Sequence, residues 1–214
     1  MNIDDLKYIY ARRKDLRKVQ SKLYSDLSES CIPSYCHLNL MASLVSWTRL
    51  FKARNLFQKY STGSIVLDFG AGSGELGRLL PTCDQYAFLE ENVELAKFIK
   101  STIPSSHREY IFSLKKEKYD AIFCLDSLEH NSNFSEIIDQ LLTSLKPNGI
   151  LIVSGPTENL LYKLGRRIAG FTGDYHQTNI FTIENYLRTR LNSIRRFYVP
   201  FRLPLFSISI WKKV

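Results

Sequence analysis

Residues Val66-Leu67-Asp68-Phe69-Gly70-Ala71-Gly72-Ser73-Gly74 set an acid directly before three closely spaced glycines. Glycines at that spacing, after a short aliphatic run, let the backbone turn tightly and let a ligand approach it. Gly72-x-Gly74-x-x-Gly77 also satisfies the dinucleotide fingerprint, so the glycines alone do not choose a ligand. Asp68 helps to choose. An ionised carboxylate at the strand end repels a pyrophosphate seated at the helix N-terminus, whereas it attracts an ammonium. Glu90 follows about 20 residues on, where an acid can accept hydrogen bonds from both hydroxyls of a ribose. Such an acid supports a nucleoside without specifying which one.

The elements that must position these residues alternate in type. Strands are predicted over 64–68, 86–89, 107–112, 119–125 and 150–153, and helices over 75–80, 93–100 and 134–145. The last of these helices carries Phe134, Ile137, Ile138, Leu141, Leu142 and Leu145 on one face, with Asn133 as its cap and Glu136 three residues on. Lys146-Pro147-Asn148-Gly149 reads as a stop-and-turn before the next strand. A helix is predicted from Thr182, as its own cap, to Leu191. Strands at 194–199 and 206–211 follow, joined by a loop from Pro200 to Pro204. A link that short joins antiparallel neighbours, because a parallel crossover needs a dozen or more residues. The fold class is therefore α/β, a doubly wound, mostly parallel sheet with an antiparallel C-terminal hairpin.

Residues 1–60 read as a helical extension or cap on a domain of residues 61–214. Leu6, Ile9, Leu16, Val19, Leu23 and Leu27 recur at helical spacing, with Arg12, Arg13, Lys14, Arg17, Lys18 and Lys22 between them. Pro33 interrupts, and a second helix is predicted from about Tyr35 to Tyr60.

Three stretches together resemble the class I S-adenosylmethionine-dependent methyltransferase family. They are Leu67 to Gly74 with Glu90, Tyr119 to Leu125 running into Asp126-Ser127-Leu128-Glu129-His130, and Leu145 to Leu151. Members of that family read similarly, with a fourth strand ending near Leu-Glu-His and Lys-Pro-Gly-Gly before the fifth strand. The resemblance covers roughly residues 61–214 and implies a seven-stranded sheet closed by the hairpin. It implies S-adenosyl-L-methionine as cofactor, with Asp68, Gly70, Gly72 and Gly74 along its methionine and ribose end. Glu90 would hold the ribose hydroxyls, and Asp126 would border the reactive end. The acid that many relatives place after the third strand is missing from Ile111-Phe112-Ser113-Leu114, which leaves the adenine contact to backbone or Ser113.

Methyl transfer is an in-line displacement, so alignment is the main demand and a hydroxyl acceptor also benefits from a base. His130 and His176 are the candidate bases, each set against a loop histidine satisfied by backbone or water. The implied acceptor is a small or lipid-linked, anionic metabolite, methylated on O or N. Residues 157–171 are a candidate for peripheral contact with an anionic membrane. Leu160, Leu161, Leu164, Ile168 and Phe171 share a face there, beside Lys163, Arg166 and Arg167. The other reading of that segment is a helix packed on the sheet.

The net charge of +8 divides into +6 over residues 1–60, −5 over 61–154 and +7 over 155–214. Basic flanks permit nucleic acid as a partner, but no Asn/Asp-Pro-Pro-Tyr/Phe sequence, Pro-Cys loop or added RNA-binding module supports a nucleic-acid methyltransferase. A non-catalytic nucleotide-binding scaffold and a nicotinamide-linked oxidoreductase are the remaining alternatives. No stretch approaches the roughly 20 apolar residues of a membrane span, and the expected setting is cytoplasmic. Cys31, Cys36 and His37 match no familiar zinc spacing, so no metal is expected, and Cys124 reads as a core residue.

Overall fold

Runs rich in β-branched, aliphatic and aromatic residues build most of the strands, which are β1 Ile65–Phe69, β2 Gln85–Leu89, β3 His107–Arg108, β4 Tyr119–Leu125, β5 Leu145–Pro156, β6 Asn192–Val199 and β7 Phe206–Lys212. The computed structural model describes residues 3–23, 32–80, 83–169, 177–200 and 204–213. Its helices are α1 Ile3–Leu23, α2 Ile32–Cys36, α3 Leu40–Tyr60, α4 Glu75–Arg78, α5 Val93–Thr102, α6 Phe134–Ser144, α7 Leu160–Ala169 and α8 Ile180–Arg188. The sheet order is β3-β2-β1-β4-β5-β7-β6, parallel except where β7 runs against both β5 and β6. This is the doubly wound sheet with a closing antiparallel hairpin.

Period-two alternation sends neighbouring side chains to opposite faces. Val66, Phe88, Phe123 and Ile152 face one core, shared with Ile9 and Leu16 of α1 and with Trp47 and Phe57 of α3. Leu67, Cys124, Leu151 and Trp211 face the other, shared with Ile138 and Leu141 of α6 and Ile183 and Leu187 of α8. The N-terminal helices thus bury their apolar faces on the same sheet surface as α4 and α5.

Several local expectations are corrected. The helix foreseen from Tyr35 is two helices, because Asn39 caps α3 by accepting from Met41 and Ala42. Asn179, which accepts from the Thr182 amide, caps α8 in place of Thr182. Asn133 forms no side-chain cap on α6. β3 is only two residues long, paired with Ala87 and Phe88 of β2, and Ile111–Ser113 turns into a 3-10 helix. The Glu109 amide still donates to the Phe88 carbonyl at 2.8 Å, while its carboxylate accepts from Lys118 and the Tyr119 hydroxyl. Lys146 to Gly149 lies within β5, with Asn148 left-handed at φ 62 and the ladder to β4 shifted between Tyr119 and Ala121. Strand pairing persists there because Asn148 and Gly149 bond to Lys213 beyond β7.

Candidate functional site

The chain reverses its direction of travel across the sheet between β1 and β4. At such a switch point the loops leaving the two strands diverge and open a crevice at their carboxyl ends. Gly70, after β1, and Ser127, after β4, face each other across it so closely that a Cβ on Gly70 would lie 2.5 Å from that of Ser127. Gly70, Gly72 and Gly74 have φ of 72°, 57° and 75°, left-handed values that side chains disfavour. The loop therefore bends back over the sheet edge, with the Gly70 and Ala71 amides donating to the Leu89 carbonyl and the Gly74 amide to that of Ala71.

Glu90 joins the crevice from the end of β2. Its Oε2 accepts from the Gly72 amide at 2.7 Å and its Oε1 from the Asn92 amide at 2.9 Å. The acid is thereby locked against the glycine loop, with lone pairs left for further donors. Burial raises its pKa, an effect the two amides oppose. Asp68, 3% exposed, accepts from the Tyr86 hydroxyl at 2.7 Å. Burial pushes its carboxyl up to about 7, against the Tyr86 hydrogen bond and with help from the charge on Glu90. A carboxyl so desolvated is receptive to a cation brought by a ligand.

Asp126 stands at the end of β4 with φ 54°. Ser154 of β5 donates to its Oδ1 at 2.9 Å, and Arg49 of α3 forms an ion pair with its Oδ2. Arg49 is buried, stacks on Phe206 with its guanidinium carbon 3.9 Å from the ring centroid, and leaves Nε without a hydrogen-bond partner among the described residues. Phe206 in turn packs edge-on to Tyr162 of α7 at 5.3 Å. Glu129 lies buried in the 3-10 turn Leu128–His130, and neither carboxylate oxygen has a hydrogen-bond partner among the described residues.

Asp68, Gly70, Gly72, Gly74, Glu90 and Asp126 thus converge on one sheet edge. His130 is there too, exposed at the end of the turn. His176 lies outside the described residues, as does Cys31, while Cys36 is buried. Among the described residues no group of three or more His, Cys, Asp or Glu side chains is arranged to hold a metal ion.

A family profile for the methyltransferase domain matches residues 40–193, from the start of α3 into β6. The chain belongs to the methyltransferase domain family. An uncharacterized methyltransferase of Schizosaccharomyces pombe is 28% identical over 159 residues, covering 64% of this chain and 55% of that protein. The mitochondrial ubiquinone biosynthesis O-methyltransferase of the same yeast is 29% identical over 139 residues, 60% of this chain and 49% of the relative. The chain therefore spans about half the length of these curated relatives. The N-methyltransferase NodS of Bradyrhizobium japonicum, solved with S-adenosyl-l-homocysteine, superposes with a TM-score of 0.65 at 15% identity, covering 92% of this chain and 97% of that one. The fold is that of class I S-adenosylmethionine-dependent methyltransferases.

Against this methyltransferase frame, the sequence reading missed one residue of the site edge, Arg49, and did not foresee the burial of another, Glu129. Nothing in the spacing around Arg49 marks it, and only its reach to Asp126 reveals it. Glu129 of the Leu-Glu-His stretch reads, like Asp126, as a candidate structural acid on the cofactor side, and the stretch carries no sign that its carboxyl is buried without a partner among the described residues.

Proposed function

We propose that this chain binds S-adenosyl-L-methionine and transfers its methyl group to a small or lipid-linked acceptor, on oxygen in preference to nitrogen. The observation that carries this reading is the lock between Glu90 and the Gly72 amide. It fixes a ribose-accepting acid onto a left-handed glycine loop, next to the desolvated Asp68. When bound, the cofactor supplies an electrophilic methyl carbon on a sulfonium.

The residues present fit that cofactor. Glu90 keeps lone pairs for the two ribose hydroxyls, and Asp68 offers a carboxylate to the methionine ammonium. The unpartnered Nε of Arg49 is a donor suited to the methionine carboxylate. Gly70, Gly72 and Gly74 let the backbone lie against the nucleoside, and the helices within residues 1–60 serve as its cap. Holding acceptor and methyl carbon in line can supply roughly 7–11 kcal/mol of the barrier.

Oxygen is preferred because curated relatives are named ubiquinone biosynthesis O-methyltransferases. The expected anionic character of the acceptor does not suit the deep site, where Asp126 and Glu129 outnumber Arg49. Basic charge lies farther out, on α7. Tyr162 turns α7 toward Phe206, while Leu160, Leu161 and Leu164 are 85%, 49% and 55% exposed beside exposed Lys163 and Arg167. Leucines turned outward with cations beside them suit an anionic lipid surface, and a lipid-linked acceptor would enter from it. No helix among the described residues is long and apolar enough to cross a membrane.

The test is transfer of tritiated methyl from S-adenosylmethionine to hydroxylated aromatic acceptors, with and without a prenyl tail. Label in the organic product supports the reading. Label transferred to RNA instead would contradict it.

A further inference from the structure

We infer that Glu129 takes the proton from the acceptor, and that the acceptor group is an acidic hydroxyl, a phenol or an enol, rather than an amine. This rests on the proposed S-adenosylmethionine-dependent methyl transfer and names the substrate class of the same site.

The other acids of this edge are each held by a partner, Asp68 through one oxygen by the Tyr86 hydroxyl and the rest through both. Glu75 is gripped twice by Arg12, Glu90 by the Gly72 and Asn92 amides, and Asp126 by Ser154 and Arg49. Glu129 is 1% exposed and has neither oxygen engaged among the described residues. A buried carboxyl without a partner is costly and is not a structural fixture by default. Its backbone is held firmly nonetheless, since its carbonyl accepts from the Gln177 and Thr178 amides at 2.8 and 3.3 Å. The turn that carries it leaves β4 beside Asp126 and opposite Gly70, on the edge that holds the cofactor residues.

The charged and titratable groups that act on Glu129 come from three sides. Burial is the main cause that lifts its carboxyl well above the usual range; Asp126 beside it and Glu158 after β5 add to this, and its own backbone amide and then Arg49 of α3 oppose it. The Cys124 thiol, buried on β4, is itself held protonated by burial and by the charges of Asp68 and Glu129. His130 follows in the chain but is exposed. A buried carboxylate lifted above its ordinary range is a stronger base toward a hydroxyl, whereas a neutral amine brings its own lone pair and needs no base.

The step balances. The acceptor O–H proton passes to the Glu129 carboxylate, and the freed oxygen pair forms the new C–O bond to the methyl carbon. The C–S bond breaks with its pair retained on sulfur. The products are a methyl ether, S-adenosylhomocysteine and a protonated Glu129, which returns its proton to solvent.

The test uses 4-nitrocatechol, whose ionisation is visible in its absorbance, with Glu129→Gln as the isosteric variant. Protein loaded with S-adenosylhomocysteine should bind the probe as its phenolate below the probe's solution pKa, and Glu129→Gln should bind it as the phenol. With S-adenosylmethionine, Glu129→Gln should lower kcat by roughly 100-fold or more at little change in KM. In the ligand-free protein, a raised carboxyl costs stability as pH climbs above its unfolded value. Wild type should therefore lose thermal stability relative to Glu129→Gln as pH rises from about 4.5, an observable that needs no turnover. Equal ionisation of the probe in both proteins, or no phenolate in wild type, overturns the assignment to Glu129. Failure of wild type to bind S-adenosylhomocysteine would instead overturn the methyltransferase reading, so the two failures are separable.

Discussion

The Tyr86 hydroxyl donates to Asp68 Oδ2 at 2.7 Å, and the ring that delivers it occupies the space where Gly77 would carry a Cβ, 2.5 Å away. The third glycine of the apparent dinucleotide fingerprint thus serves packing between α4 and β2. An alanine there would push the ring out of line with Asp68. Gly77→Ala is expected to destabilise the protein by about 1–3 kcal/mol, as overpacking does. Tyr86→Phe is expected to cost about 1–3 kcal/mol by stranding the carboxyl. Urea denaturation of both variants checks this; wild-type stability in Gly77→Ala would show that the ring is not held there.

Asp68 gives a pH dependence of definite sign. Its carboxyl rises from 3.8 to about 7 on folding, chiefly through burial. A raised pKa means stability that is complete below the unfolded value and is lost as pH climbs through the folded one. Between about pH 4 and pH 7 wild type should weaken relative to Asp68→Asn, at a limiting slope of about 1.4 kcal/mol per pH unit. Beyond about pH 7 the difference should level off. Unfolding curves at several pH values measure it, and a difference independent of pH would contradict the buried, ionisable state of Asp68.

Arg12 of α1 grips Glu75, the first residue of α4, through Nε at 2.9 Å and Nη2 at 2.7 Å. Arg12 is nearly buried and Glu75 fully so, which ties the N-terminal helix to the end of the glycine loop. Removing the Arg12 cation leaves buried Glu75 only the longer ion pair with Arg78 at 3.9 Å, so Arg12→Met should cost about 3 kcal/mol. Arg12→Met combined with Glu75→Leu should recover most of that loss. Trp47, edge-on to Tyr8 of α1 at 5.8 Å, supplies a fluorescence signal for the helix. No recovery in the double variant would place the cost elsewhere.

The exposed leucines and cations of α7 predict binding to vesicles containing phosphatidylserine. Flotation should recover the protein with such vesicles, less so at high salt, and should fail for Lys163→Glu with Arg167→Glu. Equal flotation with neutral vesicles, or none with either, would remove the membrane from the account.

Legibility in the sequence followed how local the cause was. β4 emerged at its observed bounds because Ala121 to Cys124 is an apolar run buried on both faces, and α6 because its apolar stripe is decided within one helix. Asp68, Gly70, Gly72, Gly74 and Glu90 were readable because loop geometry and chemistry share a single motif. β3 was overestimated because an edge strand has one partner, and β2 offers it only two residues. The role of Arg49 could not be read, since it depends on α3 passing over the ends of β4 and β7. Glu129 shows the same limit, because spacing does not reveal the absence of a partner.

Calorimetric titration of the purified chain with S-adenosylmethionine, S-adenosylhomocysteine and NADH, repeated on Glu90→Ala, tests the central claim most directly. The account predicts that both sulfur nucleosides bind and NADH does not. It predicts that Glu90→Ala weakens them by roughly 10- to 100-fold, the worth of one or two hydrogen bonds to a charged group. Preference for NADH, or sulfur-nucleoside binding indifferent to Glu90→Ala, would contradict it.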